Sequence, residues 1–430
     1  MTGTRLTDHR PRSTEDPPRP QPGYHPRMLP IEDAWSRLRE HLRPTPSINV
    51  RRDRTNQRVV ARDISATLDV PPYDTSAMDG FALPSDPAQP APVAVVLAAG
   101  DEPGALLADG GAGTVARIMT GAPVPADCDR VVPVELASVQ GDEKEGELVT
   151  FTDTGNSGQH IRRRGEVSTV GAPLIAAGTP VSAATTSLLA THGIDDVPVH
   201  APPTVAFATT GNEIVPPETE PGPGQLRDSH SDFFCRVLND LALPHQSLGI
   251  VPDDPAALRQ TIQEGLRSDV LLLSGGVSKG EFDFVEDVLA EFGCTSIFDS
   301  VAIQPGKPVV AAHHPGGLVF GLPGNPASAQ VCFWLFVRPA LRILLGYDDA
   351  PWAGARSATL GGPLPRAKGR DRFLPCQLED GTDGLVAHPL PPKGSHDVVA
   401  YGLVDGLVRI PAGSAPGEAG QTCSVLALPG

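Results

Sequence analysis

The sequence predicts a multidomain protein of the α/β and β class, in which a doubly wound α/β domain is joined to smaller domains. Between Pro203 and Gly346, short apolar runs alternate with helix-like segments, which is typical of a parallel sheet covered by helices. On either side of this region, short β-like runs alternate with Gly/Pro turns. The chain has 430 residues, with 47 Pro and 45 Gly but only 5% aromatic residues, which favours several turn-rich domains over one large core.

The N-terminal half is expected to combine helices, a polar loop and short strands, with residues 50–70 forming either a helix or coil. Residues 1–27 are predicted to be a disordered tail because they are rich in Pro and poor in apolar residues. Apolar residues at helical spacing predict an amphipathic helix over Ile31–Leu42. The polar, turn-rich stretch Pro71–Ala82 lacks a period and is typical of a functional loop. Short strands are expected from Ala91 to Phe151, and a second helix over Ala183–His192, with Gly193 at its C-cap.

The α/β domain is predicted from alternating elements. In order, they are strand Val205–Ala208, helix Ser229–Leu241, strand Gln246–Val251, helix Pro255–Gly265, strand Val270–Leu273, helix Phe282–Phe292, strands Phe298–Val301, Val309–Ala312 and Leu318–Phe320, and helix Ala327–Leu345. The last helix is apolar, but Arg338, Pro339 and Arg342 interrupt it, so we expect a buried helix and no membrane span. After Gly346, short strands predict a C-terminal β-domain.

Charge and cysteine content exclude several classes of function. A formal net charge of −17 argues against general binding to nucleic acid or to a membrane surface. The six cysteines form no CxxC pair and show no zinc-site spacing, which fits single thiols in a reducing compartment. The N-terminal residues lack the apolar region of a signal peptide. We therefore expect a soluble cytoplasmic protein.

Three small-residue turns follow predicted strands and are expected to line one crevice. They are Thr209–Glu213, Ser274–Gly276 and Leu322–Pro326. Successive strands of an open α/β sheet end at the same ligand crevice. A small-residue turn that opens a helix also leaves backbone N–H groups bare, which suits an anion. The sequence therefore predicts a site for a phosphate-bearing ligand.

Five motifs, in this order, resemble those of the molybdopterin molybdenumtransferase family, which includes the C-terminal domain of gephyrin. They lie in Pro71–Ala82, Arg117–Glu135, Gly158–Glu166, Thr209–Glu213 and Ser274–Pro326. The resemblance runs from about Ile31 to the C-terminus. It implies a helical linker domain (28–83 and 156–200), an inserted β-domain (84–155), a MogA-like α/β domain that binds molybdopterin (201–346), and a C-terminal β-domain (347–430).

The resemblance also implies a reaction and an assembly. Molybdate would be placed on the dithiolene of molybdopterin, with adenylylated molybdopterin as substrate, Mg²⁺ as cofactor and AMP as product. The site would lie between the α/β domain of one chain and the second domain of the other, in an elongated homodimer. Such chemistry requires backbone N–H donors and cations for the phosphates and the oxyanion, and carboxylates for the divalent ion.

Loop carboxylates are the candidate metal ligands: Asp79, Glu213, Asp253, Asp254 and Asp283. By resemblance, Asp79 handles the metal or molybdate and Glu213 contacts ligand or metal, and both are also candidate catalytic residues. Each also has an ordinary structural explanation. Asp79 can cap a turn and Glu213 can be solvated. One of Asp253 and Asp254 can cap the following helix, and the helix dipole alone favours Asp283.

Two further residues are catalytic candidates. Thr120 offers a hydroxyl and a backbone N–H as donors, and Lys307 is a cation in a Pro-flanked loop. Thr120 can equally cap a turn, and Lys307 can be a surface lysine. Three consecutive arginines, 162–164, can either form a solvated surface or bind an anion. If they bind an anion, Arg162 is the preferred ligand. The substrate-binding candidates are Arg162, Ser274, Gly275, Gly276, Ser278, Lys279, Pro323, Gly324, Asn325 and Pro326. Asn325 can instead cap the helix that follows it.

Four positions depart from the family pattern. Val167 stands where active members usually have Asp, Ser300 and Gln304 stand where many bacterial members have Lys, and His230 stands where Asn is usual. Removing one preorganised group from an oxyanion site typically costs about 10²–10³ in rate. We hypothesise that Lys279 restores one positive charge, in which case Lys279→Ala abolishes molybdate-dependent activity.

Three alternatives to an active transferase therefore stay open. The first is a catalytically degenerate paralogue that binds pterin or nucleotide, for which the departures at Val167, Ser300 and Gln304 argue. The second is a scaffold protein, as in gephyrin, weakly supported by the Pro-rich N-terminus. The third is a hydrolase acting on a nucleotide pyrophosphate.

Overall fold

A computed structural model of the protein describes residues 28–101, 113–276, 282–348 and 354–428, with backbone only at 282–284 and 286. The tail expected at residues 1–27 lies outside this range. Within it, the strands form three six-stranded sheets and four two-stranded ones. Separate hydrophobic clusters lie in the α/β domain, the inserted β-domain, the linker domain and the C-terminal β-domain. The predicted multidomain α/β and β class is confirmed.

The sheet of the α/β domain is parallel at its centre and antiparallel at one edge. Its strands, in spatial order, are His245–Val251, Val205–Thr210, Val270–Ser274, Gly317–Leu322, Val310–His314 and Thr295–Phe298. The first four run parallel. The fifth strand is reversed because a loop of two residues, 315–316, joins it to the fourth, and only antiparallel strands can be joined by so short a loop. The sixth strand pairs antiparallel with the fifth and therefore runs in the same direction as the first four.

Helices cover both faces of this sheet. They are His230–Asp240, Pro255–Gly265, Phe282–Glu291 and a long helix built from Pro326–Cys332, the π-helical segment Phe333–Val337 and Arg338–Leu344. In the central strand, Val270 and Leu272 pack in one core, whereas Leu271 and Leu273 pack in the other. Burial on both faces explains why this strand is a continuous apolar run.

The long helix and the N-terminal helix pack together on one face of the sheet. The long helix is apolar and long enough to cross a membrane, but 83% of its most apolar window is buried inside the protein, as expected of a core helix. The N-terminal helix Ile31–Glu40 was expected in the linker domain. It lies instead against the α/β domain, where Trp35 packs in the core and its Nε1 donates to the carbonyl of Leu335 (3.1 Å).

The linker domain consists mainly of paired short strands. The pairs are Ser47–Arg51 with Asp196–His200, Ile64–Ser65 with Pro173–Ile175, and Thr75–Ser76 with Ile161–Arg162. A 3₁₀ turn, Arg52–Arg54, and one helix, Ala183–Thr191, accompany them in the described chain. The Ser182 hydroxyl accepts from the N–H of Thr185 and caps that helix. The helical character expected of this domain is therefore limited.

The inserted β-domain forms one six-stranded sheet. Its spatial order is Arg130–Pro133, Gly80–Leu83, Val115–Ile118, Ala91–Leu97, Leu148–Phe151 and Ala137–Gln140, with a 3₁₀ turn at Val134–Leu136. The strand Gly80–Leu83 lies in this sheet, although the sequence placed it in the linker domain. It follows directly on the loop that carries Asp79. That loop is therefore fixed to the inserted β-domain.

The C-terminal β-domain closes on itself. Its order is Ile303–Gln304, Asp371–Gly381, Gly384–Pro389, Ala355–Leu360, Thr422–Ala427 and Gly406–Ile410, and Asp371–Gly381 also pairs with Gly406–Ile410. A short helix, Val398–Gly402, and a two-stranded pair, Ile214–Val215 with Leu226–Arg227, complete the elements of the C-terminal and α/β domains in the described ranges. Because Ile303–Gln304 belongs to this sheet, the loop carrying Lys307 is attached to both domains.

Candidate functional site

A cavity of about 600 Å³ lies at the ends of three adjacent parallel strands. The strands are Val205–Thr210, Val270–Ser274 and Gly317–Leu322. Nineteen residues line the cavity: Thr209, Thr210, Gly211, Glu213, Ile214, Leu226, Arg227, Asp228, Ser229, His230, Asp253, Ser274, Gly275, Gly276, Gly324, Asn325, Pro326, His396 and Val398. The structure thus brings together the three turns that the sequence placed at one crevice. We call this space the strand-end cavity.

The glycine turn of this cavity requires glycine. Gly275 and Gly276 have φ values of +95° and +63°, which L-residues with a Cβ rarely adopt. A Cβ on Gly275 would lie 2.4 Å from the carbonyl oxygen of Thr210, and one on Gly324 would lie 3.5 Å from the Cα of Gly275. Gly275 therefore lies too close to Thr210 for a side chain, whereas a Cβ at Gly324 would be at an ordinary contact distance. The N–H of Gly275 donates to the carbonyl of Leu322 (3.1 Å).

Thr210 leaves a polar group unpaired beside this turn. Its side chain is 8% exposed, and its Oγ1 has no hydrogen-bond partner among the described residues. A Cβ built on Gly276 would lie 3.0 Å from that oxygen. Buried hydroxyls are normally hydrogen-bonded. An unpaired hydroxyl that lines a cavity is suited to a ligand or an ordered water.

Three acidic residues line the strand-end cavity: Glu213, Asp228 and Asp253. Asp228 is buried and its carboxylate accepts bonds from Thr209, His230 and Ser231, which leaves Glu213 and Asp253 for a ligand. Asp253 is held by a reciprocal pair of bonds. The N–H of Asn212 donates to its Oδ2 (3.0 Å), and its own N–H donates to Oδ1 of Asn212 (3.2 Å). Asp254, by contrast, accepts at Oδ1 from the N–H groups of Ala256 and Ala257 and is the N-cap of the helix that follows. Of the two neighbours, Asp253 is the one free to bind a metal.

This donor set fits Mg²⁺. Within the described ranges, no three His, Cys, Asp or Glu side chains are grouped as a metal site. Mg²⁺, however, commonly uses one or two protein carboxylates and completes its shell with phosphate oxygens and water. Glu213 and Asp253 provide that number. Of Asp283 only the helical backbone is described, and Ser278 and Lys279 lie outside the described residues.

A second cavity, of about 340 Å³, adjoins the first through Asn325, which lines both. Its lining includes Lys307 and two arginines of the C-terminal domain, Arg370 and Arg372. Asn325 occupies the N-cap position of the long helix, but its side chain makes no capping hydrogen bond. That amide is therefore available to a ligand. We call this second space the cationic cavity.

The loop that carries Lys307 is tightly packed. Gly306 has a φ of +105°, and a Cβ there would lie 2.5 Å from Sγ of Cys332, whose thiol donates to the Gly306 carbonyl (3.4 Å). Arg372 donates from Nη1 to the carbonyl of Arg366 (3.3 Å), but its buried Nε has no partner among the described residues, and none of the three cations has an ion pair there. Unpaired cations around one small cavity favour an anionic ligand.

Sequence analysis missed Arg370 and Arg372. The available signal was the basic run Pro365–Arg372, which carries four cationic side chains on a strongly acidic protein. It gave no indication that this run would face the α/β domain. The contact exists because Ile303–Gln304 pairs in parallel with Asp371–Arg372. Sequence analysis also missed His396, a residue of the C-terminal domain that lines the strand-end cavity.

Asp79 and Thr120 form a separate pair in the inserted β-domain. The backbone N–H and hydroxyl of Thr120 donate to Oδ1 of Asp79 (2.6 and 2.7 Å). Both bonds lower the pKa of the Asp79 carboxyl, and the bond from the backbone N–H of Thr120 has the larger effect. Its Oδ2 is the oxygen left for a ligand. Neither residue lines either cavity in the described part of a single chain.

Among the three arginines, Arg162 differs from its neighbours. Arg163 pairs with Asp74 (2.6 Å), and Arg164 pairs with Asp69 (2.6 Å). Within the described residues Arg162 has no ion pair, and it lies in a short strand beside the Thr75–Ser76 strand. It is therefore the arginine available to an external anion, although it lines neither cavity of its own chain.

The four departures from the family pattern lie in different surroundings. Val167 is 77% exposed on the linker domain. Ser300 donates from its hydroxyl to Asp299 (3.1 Å), whereas Gln304 lines the cationic cavity. His230 is buried and lines the strand-end cavity.

Comparison with known proteins agrees with this architecture. Residues 29–193 match the MoeA N-terminal region (domain I and II), residues 206–343 a probable molybdopterin binding domain, and residues 357–428 the MoeA C-terminal region (domain IV). The molybdopterin molybdenumtransferase 2 of Mycobacterium tuberculosis H37Rv is 31% identical over 89% of this chain and 96% of its own length. The chain belongs to the molybdopterin molybdenumtransferase family.

Other relatives extend the match. The molybdopterin molybdenumtransferase of Bacillus subtilis is 29% identical over 93% of this chain and 94% of its own. A crystal structure of a molybdopterin biosynthesis MoeA protein from Pyrococcus horikoshii has a TM-score of 0.79 at 31% identity and covers 94% of this chain and 100% of that one. The predicted family, its transferase function and the MogA-like α/β domain are confirmed.

Proposed function

We propose that the protein inserts molybdate into molybdopterin, taking adenylylated molybdopterin as substrate and releasing AMP, with Mg²⁺ as cofactor. Two cavities meet at Asn325, and this observation carries the proposal. One has a glycine turn and two exposed carboxylates, and the other has three cations. The first suits a phosphate-bearing ligand and a divalent ion. The second suits an oxyanion. A transferase that joins an oxyanion to a phosphorylated substrate needs both.

In this proposal different residues bind the phosphates, the Mg²⁺ ion and the molybdate. The backbone N–H of Gly276 and the Thr210 hydroxyl bind phosphate oxygens. Glu213 and Asp253 would hold Mg²⁺, which when bound neutralises charge on the phosphates. Lys307, with the two arginines of the cationic cavity, binds molybdate and orients it toward the pterin. Ser278, Lys279, Pro323, Gly324, Asn325 and Pro326 are proposed as further substrate contacts, and Asp283 as a further metal ligand.

The arginines bear on whether the site is active. Gln304 and Ser300 do not supply the positive charge found at those positions in many bacterial members. Arg370 and Arg372 line the same cavity as Lys307 and provide cations without them. The exposed Val167 is the observation that favours the alternative, a degenerate paralogue that binds pterin without turnover. Loss of a carboxylate there removes a group that the cationic cavity cannot replace.

The proposal includes a homodimer in which Asp79, Thr120 and Arg162 serve the cavities of the partner subunit. It is supported by the position of these residues, which carry unpaired polar atoms but line neither cavity of their own chain. Mixed dimers test it. Asp79→Asn and Lys307→Ala chains are unfolded together, refolded, and assayed at a molybdate concentration so far below the KM that each variant alone has little activity. Random pairing restores about a quarter of wild-type activity if sites are shared between chains, and none if each chain builds its own site.

The decisive assay follows AMP. The purified chain is incubated with adenylylated molybdopterin and Mg²⁺, with and without molybdate. Molybdate-dependent AMP release supports the transferase. AMP release without molybdate indicates a hydrolase, tight binding without release indicates the degenerate paralogue, and absence of binding leaves a scaffold. Omission of Mg²⁺ tests the cofactor. Free thiols at all six cysteines support a cytoplasmic location for this reaction.

A further inference from the structure

His230 begins the helix His230–Asp240 at the wall of the strand-end cavity. Its backbone N–H donates to Oδ1 of Asp228 (2.9 Å). Asp228 is itself buried and also accepts from the N–H and hydroxyl of Ser231 (3.1 and 2.6 Å) and from the hydroxyl of Thr209 (3.1 Å). Its carboxylate is thus fully engaged in holding the start of the helix against the strand. The imidazole of His230 is fixed in position as a result.

The imidazole has one protein partner among the described residues. Its Nδ1 lies 2.5 Å from the hydroxyl oxygen of Ser274, a residue that is fully buried. The Ser274 hydroxyl proton has no other acceptor in the described chain. Burial also lowers the pKa of His230, so the ring is neutral at pH 7. A neutral ring can either donate or accept at Nδ1, and the serine proton decides between the two.

Only one arrangement leaves no buried proton unpaired. If Ser274 donates to Nδ1, its hydroxyl is satisfied and the ring carries its own proton on Nε2. If Nδ1 donates instead, the buried serine proton has no acceptor, which is unfavourable. The ring nitrogen left without a protein partner is Nε2, and His230 lines the cavity beside Gly275. The proton on Nε2 is therefore available to the cavity.

We infer that His230, held by Ser274 in the tautomer with its proton on Nε2, donates a hydrogen bond to a phosphate oxygen of the ligand at the glycine turn. This inference rests on the proposed function for the identity of the ligand. It adds a side-chain donor to the Gly276 N–H and the Thr210 hydroxyl already present there. Because the ring is neutral, it binds the phosphate without adding charge to a cavity that also holds Glu213 and Asp253.

The tautomer is tested without any ligand. Long-range ¹H–¹⁵N NMR on the full chain labelled at histidine nitrogens distinguishes the two neutral forms, and the His230→Asn spectrum assigns the signal. We expect a protonated Nε2 and an unprotonated Nδ1 in the wild-type chain, and loss of this preference in Ser274→Ala. A proton on Nδ1 in the wild-type chain would overturn the inference whether or not the chain is an active transferase.

The contact is tested by turnover. His230→Phe keeps an aromatic ring next to Phe234 but removes the donor. We expect the KM for adenylylated molybdopterin to rise about tenfold while the KM for molybdate is unchanged. His245→Phe is the matched control, because His245 begins its strand level with Val205, at the end of the parallel strands away from the strand-end cavity, and lines neither cavity.

The outcomes separate the inference from the proposed function. An unchanged KM in His230→Phe, with an active wild-type chain, overturns the inference and leaves the function standing. A wild-type chain that releases no AMP overturns the function, and the NMR result then decides the tautomer by itself. If His230→Phe unfolds, Ser274→Ala supplies the second variant. It should raise the same KM about twofold to fivefold, since the ring then spends part of its time in the wrong tautomer.

Discussion

The glycine turn offers the sharpest test of the strand-end cavity. In Gly275→Ala, a Cβ must be placed 2.4 Å from the carbonyl oxygen of Thr210, on a backbone with φ of +95°. The positive φ alone costs an L-residue about 1–2 kcal/mol. Forcing extra volume into a packed site typically costs about 1–3 kcal/mol more. We expect the variant to lose about 2–5 kcal/mol of the free energy of unfolding of the α/β domain.

Gly293→Ala is the control for backbone strain. Gly293 follows the helix Phe282–Glu291 in the same domain and has a φ of +76°, but a Cβ there meets nothing within 4 Å. It should therefore lose only the cost of positive φ, about 1–2 kcal/mol. The difference between the two variants isolates the collision with Thr210.

Urea unfolding followed by tryptophan fluorescence measures both losses. Trp35 and Trp334, two of the three tryptophans, pack in or against the core of the α/β domain. AMP release on the same samples should fall about 10²-fold in Gly275→Ala, since the turn must move to relieve the collision, and little in Gly293→Ala. Equal loss of stability in both variants, with activity retained, would refute the claim that the two turns need their close approach.

Three further predictions concern charged side chains of the proposed site. Lys307→Ala should raise the KM for molybdate about tenfold or more, because a hydrogen bond to a charged group is worth about 1.5–3 kcal/mol. Lys307→Arg should recover part of the lost affinity for molybdate. Equal KM values in the wild-type and Lys307→Ala chains would exclude an oxyanion-binding role for Lys307. Asp254→Ala should lower the free energy of unfolding by about 1 kcal/mol through loss of the N-cap and leave the Mg²⁺ requirement of AMP release unchanged. Asp253→Asn should instead raise the Mg²⁺ concentration needed for half-maximal activity. The reverse pattern would show that the roles of the two aspartates are exchanged. Arg162→Ala should lower kcat/KM about tenfold. Arg163→Ala breaks an exposed ion pair and should change kcat/KM little and the free energy of unfolding by only about 0–1 kcal/mol. Similar kcat/KM values for the two variants would contradict the preference for Arg162.

The sequence predicted the centre of the α/β domain well, because strong local signals coincide there. Continuous apolar runs mark the buried strands, and Asp254-Pro255 marks the start of a helix at both its N-cap and first position. The expected strand Phe298–Val301 was displaced. The structure has Thr295–Phe298, paired in antiparallel fashion. A short apolar run at a sheet edge carries no information on register or direction, which is set by the neighbouring hairpin.

Long-range contacts account for what sequence analysis missed. The Ile31–Glu40 helix has an apolar face that fits any nearby core, and only the fold shows that it packs in the α/β domain. Arg372 reaches the cationic cavity because two distant strands pair. His230 was noticed only as a departure from the family pattern. Its role depends on the Ser274 hydroxyl, which lies 44 positions away in the chain.

The central claim is that the ends of the parallel strands bind the phosphates of a pterin nucleotide. A crystal structure of the chain with adenylylated molybdopterin tests it most directly. The claim predicts a phosphate oxygen within hydrogen-bond distance of the N–H group of Gly276, and Asn325 in contact with the ligand. Density for the ligand in the groove of the C-terminal domain between Arg356 and Pro416, with both strand-end and cationic cavities left to solvent, would contradict it.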